Sequence, residues 1–241
     1  MNPAAMDPFG KALRAWFEGD KHAQVMVRRD DGSEVPLPAG HFFRDEDDLT
    51  RIERRALDCC QGRVLDVGAG TGTLSLVLQK RGVAVTAIDI SQDVVWIMER
   101  RGVKNVSCAD IFDFNDGPFD TLLLMGHGIG MVEAIEGLDR FLRHVKTLVS
   151  HKGRCVLDSL DVRQTTDQGN LDYHEMNRKA GRYIGEVRMQ FAFGGEVGPY
   201  CSWLQVDPET LYRHAERAGW RSEIIENESN GDYLAELTKV R

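Results

Sequence analysis

Positive charge is in deficit in this sequence: 30 Lys and Arg stand against 38 Asp and Glu, a formal net charge of -8. A general nucleic-acid binder needs a basic face to neutralise phosphates, so nucleic acid is not expected as a partner. Long apolar runs are also lacking. None approaches the roughly 18 residues that would suggest a membrane span, and no basic segment followed by an apolar one opens the chain. No membrane association and no signal peptide are therefore expected, which makes the cytoplasm the expected compartment. The five cysteines, Cys59, Cys60, Cys108, Cys155 and Cys201, are odd in number and contain no C-x-x-C pair. They are expected as buried thiols, not as zinc ligands or a disulfide framework, and no metal site is expected. Internal repeats and low-complexity tracts are missing too.

What is present is ordinary globular composition, 42% hydrophobic and 28% charged over 241 residues, enough to bury one sizeable core. Residues 1–7 read as loose. Phe9, Leu13, Trp16 and Phe17 fall at helical spacing over 8–18. Residues 25–35 read as a strand pair turning at Asp30, Asp31 and Gly32, and 49–60 as a helix. A regular alternation then starts. Strands are predicted at 63–67, 83–89, 103–109, 119–125 and 154–159, with helices at 73–81, 91–101 and 133–149 between them. Such alternation implies a parallel sheet covered on both faces. After Asp161 the pattern changes to a long strand over 182–193, a return strand over 200–206, a helix over 208–218 capped by Asp207, and a hairpin turning at Asn230 and Gly231. A single domain over 1–241 is expected: a cap at 1–60, a ligand-binding core at 61–160, an insertion at 161–206 and a C-terminal helix and hairpin at 207–241.

Residues 64–72 read V-L-D-V-G-A-G-T-G and join a strand to a helix. Glycines there let a ligand approach the backbone closely. Two ligand classes compete for such a turn. A nicotinamide site normally carries G-x-G-x-x-G, whereas here only one residue separates the second and third glycines. Asp66, two residues before Gly68, would repel a pyrophosphate but suits a ligand with an ammonium or sulfonium group. Asp89 ends the next strand, where a carboxylate can accept from ribose hydroxyls. Nicotinamide enzymes use the same device, so Asp89 alone does not discriminate.

The combination D-x-G-x-G-x-G resembles motif I of class I S-adenosylmethionine-dependent methyltransferases, and the likeness extends over about 63–159. It implies a Rossmann-like, doubly wound, mostly parallel seven-stranded α/β sheet whose last strand inserts antiparallel. S-adenosyl-L-methionine is the implied cofactor and S-adenosyl-L-homocysteine its product. The implied cofactor residues are Asp66, Gly68, Ala69, Gly70 and Gly72 at the turn, Asp89 and Ile90 at the ribose, and Asp110 and Ile111 at the adenine. Met125 and Gly126 would border the methionine part through backbone atoms. The loop Gly126-His127-Gly128 departs from the Asn/Asp-Pro-Pro-Tyr/Phe pattern of many amino-methylating enzymes of nucleic acids and proteins, which argues against methylation of a DNA adenine or a glutamine.

The resemblance leaves the acceptor open. His127, just past the fourth strand, is the candidate base and a substrate contact, because imidazole titrates near neutrality. Phe43 and Arg44, before the glycine turn, are candidate lid and substrate residues. Tyr183 and Arg188 are candidates on the long strand, Arg188 for a carboxylate, with a cross-strand ion pair as the blander role. Asp158 and Asp161 are candidates to orient an amine or hydroxyl, against simple capping. Tyr200 and Trp203 are candidate walls of an aromatic pocket, against core packing. A small molecule is the expected acceptor. A protein or RNA site, a non-catalytic cofactor-binding module and a nicotinamide oxidoreductase are the alternatives. Oligomeric state is not readable.

Overall fold

The computed structural model describes residues 1–240. In chain order the elements begin with α1 (Asp7–Phe17), β1 (Gln24–Arg29), β2 (Glu34–Pro38) and α2 (Arg51–Cys59). The alternating part comprises β3 (Arg63–Val67), α3 (Thr73–Lys80), β4 (Ala84–Asp89), α4 (Gln92–Arg101), β5 (Val106–Cys108), β6 (Phe119–Leu124), α5 (Ile135–Leu148) and β7 (Val149–Leu160). Then follow α6 (Gln168–Lys179), β8 (Glu186–Phe193), β9 (Glu196–Val197), β10 (Cys201–Leu204), α7 (Pro208–Arg217), β11 (Trp220–Asn227) and β12 (Asp232–Lys239).

The main sheet has seven strands in the order β11-β12-β7-β6-β3-β4-β5. β3 pairs parallel with β4 and β6, and β6 with β7, while β12 lies antiparallel to both β7 and β11. This is the expected α/β architecture with its inserted antiparallel last strand. The centre of the sheet is apolar on both faces because helices cover both. In β6, Leu122 and Leu124 pack into the cluster beneath α5 and α7, while Leu123 joins the cluster beneath α2 and α3. That division is the two-residue period of a strand read out as packing.

The first main difference from the sequence reading is the second sheet. β1 and β2 do not stand apart as a cap. β1 pairs antiparallel with β8, and β10 and β9 pair with β8 in turn, giving the order β10-β8-β1-β2. Cap and insertion are one layer. The second is α6, which the hydrophobic pattern does not reveal: of its twelve residues only Tyr173, His174 and Asn177 are buried. Asp167 caps its start, and Asn177 Nδ2 donates to the carbonyls of Ile184 and Glu186, so polar contacts fix what apolar periodicity does not announce. β8 is accordingly shorter than expected, beginning at Glu186. Residues 3–5, expected loose, form a short 3-10 turn with Ala5 fully buried. Among the described residues no helix is long and apolar enough to cross a membrane. All five thiols are free; four are buried and Cys108 is half-buried.

Candidate active site

The sheet order reverses direction between β3 and β6, and an open α/β sheet binds ligands in the crevice beyond its carboxyl ends at such a point. A cavity of about 420 Å³ lies there. Its floor is the strand ends of the main sheet and its roof is one face of the second sheet.

The glycine turn forms one wall. The N–H groups of Gly68 and Ala69 both donate to the Ile88 carbonyl, at 2.9 and 3.1 Å, which locks β3 to β4 where both strands end. Gly70 has φ +56°, and a Cβ there would project into open space. The backbone is thus bare where a ligand must come close. Gly72 does not line the cavity. It begins α3, and a Cβ on it would run into Val103 and Met98. Its visible role is close packing of α3 against Val103 and Met98.

Three carboxylates face the cavity from successive strand ends. Asp66 is buried, accepts from Ser75 Oγ at 2.6 Å, and is pushed up to about 6 by burial and then by Asp89. Asp89 accepts from the N–H groups of Ser91 at 2.9 Å and Gly70 at 3.2 Å, which partly offset the burial that raises it to about 6. Asp110 is half-buried and accepts from the Phe112 N–H at 2.9 Å. Ala69, Ile90, Ile111, Met125 and Gly126 also line the cavity.

Opposite them is the loop after β6. His127 has φ +55°, uncommon for a residue with a side chain. The carboxylate of Asp158, at the end of β7, accepts from the N–H of Gly126 at 3.2 Å and of His127 at 2.9 Å and so holds the loop in place. His127 Nε2 lies 3.0 Å from Asp232 Oδ1 on β12. Burial alone would lower the imidazole pKa, but the hydrogen bond with Asp232 and the charges of Asp158 and Asp232 outweigh it, and the pKa lies above its ordinary value. The same bond holds Asp232 below the usual carboxylate range. Burial pushes Asp158 up to about 6.

Arg44 lines the cavity, its guanidinium on Glu53 at 2.8 and 2.5 Å. The other predicted substrate residues lie elsewhere. Phe43 stacks on Trp16, with ring centroids 4.2 Å apart, and its neighbour Phe42 is the one that reaches the cavity. The Tyr183 hydroxyl donates to Asp207 Oδ2 at 2.6 Å and anchors the start of α7. Arg188 is exposed on the face of β8 opposite Val187 and Met189, which do line the cavity. Phe43, Tyr183 and Arg188, expected at the substrate, therefore do not line this cavity. Of the two aromatic candidates Trp203 lines the cavity and Tyr200 does not. Asp161 bonds Arg163 and starts a 3-10 turn.

Asp232 and the apolar roof were not foreseen. The clue to Asp232 was its place just past the Asn230–Gly231 turn: an inserted antiparallel strand must start beside the end of β7, and Asp232 indeed pairs with Leu160. Nothing local marks the roof, because its paired strands β1 and β8 are more than 150 residues apart in sequence.

Residues 39–223 match a family described as a methyltransferase domain. An S-adenosylmethionine-dependent methyltransferase from Bacteroides fragilis, solved in complex with S-adenosyl-L-homocysteine, is 31% identical, superposes with a TM-score of 0.87, and is covered over 98% of its length by all of this chain. A ubiquinone biosynthesis O-methyltransferase from Xanthomonas euvesicatoria pv. vesicatoria is 27% identical over 164 residues, which is 65% of this chain and 60% of that protein. A methyltransferase from Staphylococcus carnosus is 30% identical over 115 residues, 47% of this chain and 55% of that one. The chain thus spans little more than half the length of these two curated relatives. Since the family match takes in most of the chain, from the lid before the glycine turn to β11, the chain belongs to the methyltransferase domain family.

Proposed function

We propose that this chain transfers a methyl group from S-adenosylmethionine to a small-molecule acceptor. One observation carries the reading: the bare backbone at Gly70, the carboxylate of Asp89 and the imidazole of His127, itself paired with Asp232, all open on one cavity. The residues fit the cofactor. Asp89 and Asp110 are acceptors at the ends of adjacent strands, suited to ribose hydroxyls and an adenine amino group. Asp66 supplies negative charge next to the turn, and Gly70 leaves room for a ligand against the backbone. The cofactor, when bound, supplies an activated methyl group on a sulfonium.

The chain's own residues have the remaining work. The second sheet, with Phe42 and Arg44, covers the cavity and limits the access of water. Thr71 Oγ1 donates to the Phe42 carbonyl and Thr73 Oγ1 to the same oxygen at 3.2 Å, which ties the lid to the glycine turn. An ionised Asp232 can only accept, so His127 carries its hydrogen on Nε2 and keeps Nδ1 as the basic atom. His127 Nδ1 would take the proton from an acceptor hydroxyl or ammonium. A small molecule is favoured because the cavity is roofed and because the net charge is -8.

Incubation with a donor labelled in its methyl group and a metabolite extract tests the proposal. Label should appear in a low-mass product and be lost with Asp89→Ala. Label found in protein or RNA alone would overturn the small-molecule reading.

A further inference from the structure

We infer that Arg101 is a positioning residue for the cofactor: it orients the hydroxyls of Thr71 and Thr73 so that they clamp Phe42 and Arg44 against the glycine turn, and so sets how fast the cofactor leaves. The inference rests on the methyl-transfer reading above and concerns the same site.

Arg101 ends α4 and does not itself line the cavity. Its Nη1 donates to the Thr71 carbonyl at 2.7 Å, to Thr71 Oγ1 at 2.7 Å and to Thr73 Oγ1 at 3.1 Å. All three acceptors are neutral oxygens. The guanidinium is half-buried and burial opposes its charge, which Asp45, on the lid's own segment, offsets in part. A half-buried cation held by neutral oxygens is a costly way to pack a helix end, so its donors are what the position uses.

A guanidinium can only donate. Both hydroxyls must accept from it, and each keeps its single hydrogen for another partner. That partner is the Phe42 carbonyl, whose two lone pairs take Thr71 Oγ1 and, at 3.2 Å, Thr73 Oγ1. Thr73 Oγ1 also lies 3.4 Å from the Arg44 carbonyl. Without Arg101 the two hydroxyls, 3.3 Å apart, are free to bond each other instead. The grip continues outside the cavity: the Arg101 guanidinium lies 5.5 Å from the Phe43 ring centroid, and that ring stacks on Trp16. Phe42, Arg44, Thr71 and Thr73 line the cavity together with Gly70, where the backbone is bare. The clamp therefore joins lid to glycine turn at the part of the cavity assigned to the cofactor.

Rapid filtration of labelled S-adenosylhomocysteine, read as separate association and dissociation rates, tests this. Arg101→Met should speed dissociation about tenfold and leave association within about twofold of wild type. Arg101→Lys, which keeps a donating cation, should fall between the two. The pair Thr71→Val with Thr73→Val should also speed dissociation, and adding Arg101→Met to it should change the rate by less than about twofold, because Arg101 acts through those hydroxyls. A residue that only packed α4 would add its full effect on that background. Unchanged dissociation in Arg101→Met, full additivity with the valine pair, or an affinity loss carried by slower association overturns the inference and leaves methyl transfer standing. If Arg101→Met does not fold, Arg101→Lys and the valine pair decide, and wild-type dissociation in both overturns the inference. If S-adenosylhomocysteine does not bind the wild type, the methyl-transfer reading falls and the inference falls with it.

Discussion

At the scale of single residues, the site combines groups whose protonation is set by their surroundings. His127 should act as a base only when neutral, and its pKa lies above the ordinary imidazole value because of Asp232 and Asp158. Turnover should therefore rise with pH through an inflection above about 6.5. Replacing Asp232 by Asn removes one of these charges and should move that inflection down. His127→Ala should lower turnover at neutral pH by about 10²-fold or more. A pH–rate series on the three proteins checks this, and superimposable profiles for wild type and Asp232→Asn would exclude the pairing. Asp89 behaves in the opposite sense. Burial raises its carboxyl to about 6, so it is ionised at pH 8 and largely protonated at pH 5, where it is a poorer acceptor. Affinity for S-adenosylmethionine should fall as pH drops through about 6, and calorimetry at pH 8, 7, 6 and 5 should show the loss. The carboxylates at 66, 89 and 110 were legible from sequence because each follows a recognisable strand at a fixed place. His127 was legible for the same reason. Its partner Asp232 was not, since the two are 105 positions apart and meet only through strand insertion.

At the scale of elements, the loop after β6 is held from below and above. Asp158 accepts two of its N–H groups, so Asp158→Ala leaves both without that partner and should cost about 1–3 kcal/mol of stability. Urea denaturation measures this, and no loss would mean that the loop is fixed elsewhere. From above, the Trp203 indole lies against Gly130, where a Cβ would overlap the ring. Gly130→Ala should push Trp203 off the loop and destabilise by about 1–3 kcal/mol through overpacking; the shift of indole fluorescence reports the movement. Elements with a strong period were predictable. β6 announced itself with three consecutive leucines, and α7 with Asp207 and Pro208 at its start. α6 was not, because its exposed surface is polar and only three side chains turn inward. The long strand expected over 182–193 begins four residues later, since Tyr183 and Asn177 hold residues 182–185 in a turn.

At the scale of the whole molecule, a layer built from two segments far apart in sequence roofs the cavity at the strand ends of the main sheet. Sequence reading placed the strands whose ends floor the cavity well because they belong to a succession of local strand–helix units. It placed the roof poorly because β1 and β8 are more than 150 residues apart and each looks like an isolated hairpin strand. The cavity also shapes stability. Asp66, Asp89 and Asp158 each titrate at about 6 in the folded chain but near 3.9 when unfolded. The folded state holds their protons more tightly, so these groups should reduce stability progressively as pH rises from about 4 to 6. Asp161, Asp207 and Asp232 are shifted the other way and lose their contribution only as pH falls below about 4. Ligand-free stability by denaturation should therefore peak on the acid side of neutrality. Cofactor at a hundredfold excess over Kd should add about 2.7 kcal/mol. The most direct test of the central claim is a calorimetric titration at pH 7.5 of wild type and Asp89→Ala with S-adenosylmethionine, alongside wild type with NADH. A single site for S-adenosylmethionine, at least about tenfold weaker in Asp89→Ala, with no heat from NADH, is the predicted result; binding of NADH without S-adenosylmethionine, or equal affinity in the variant, would contradict it.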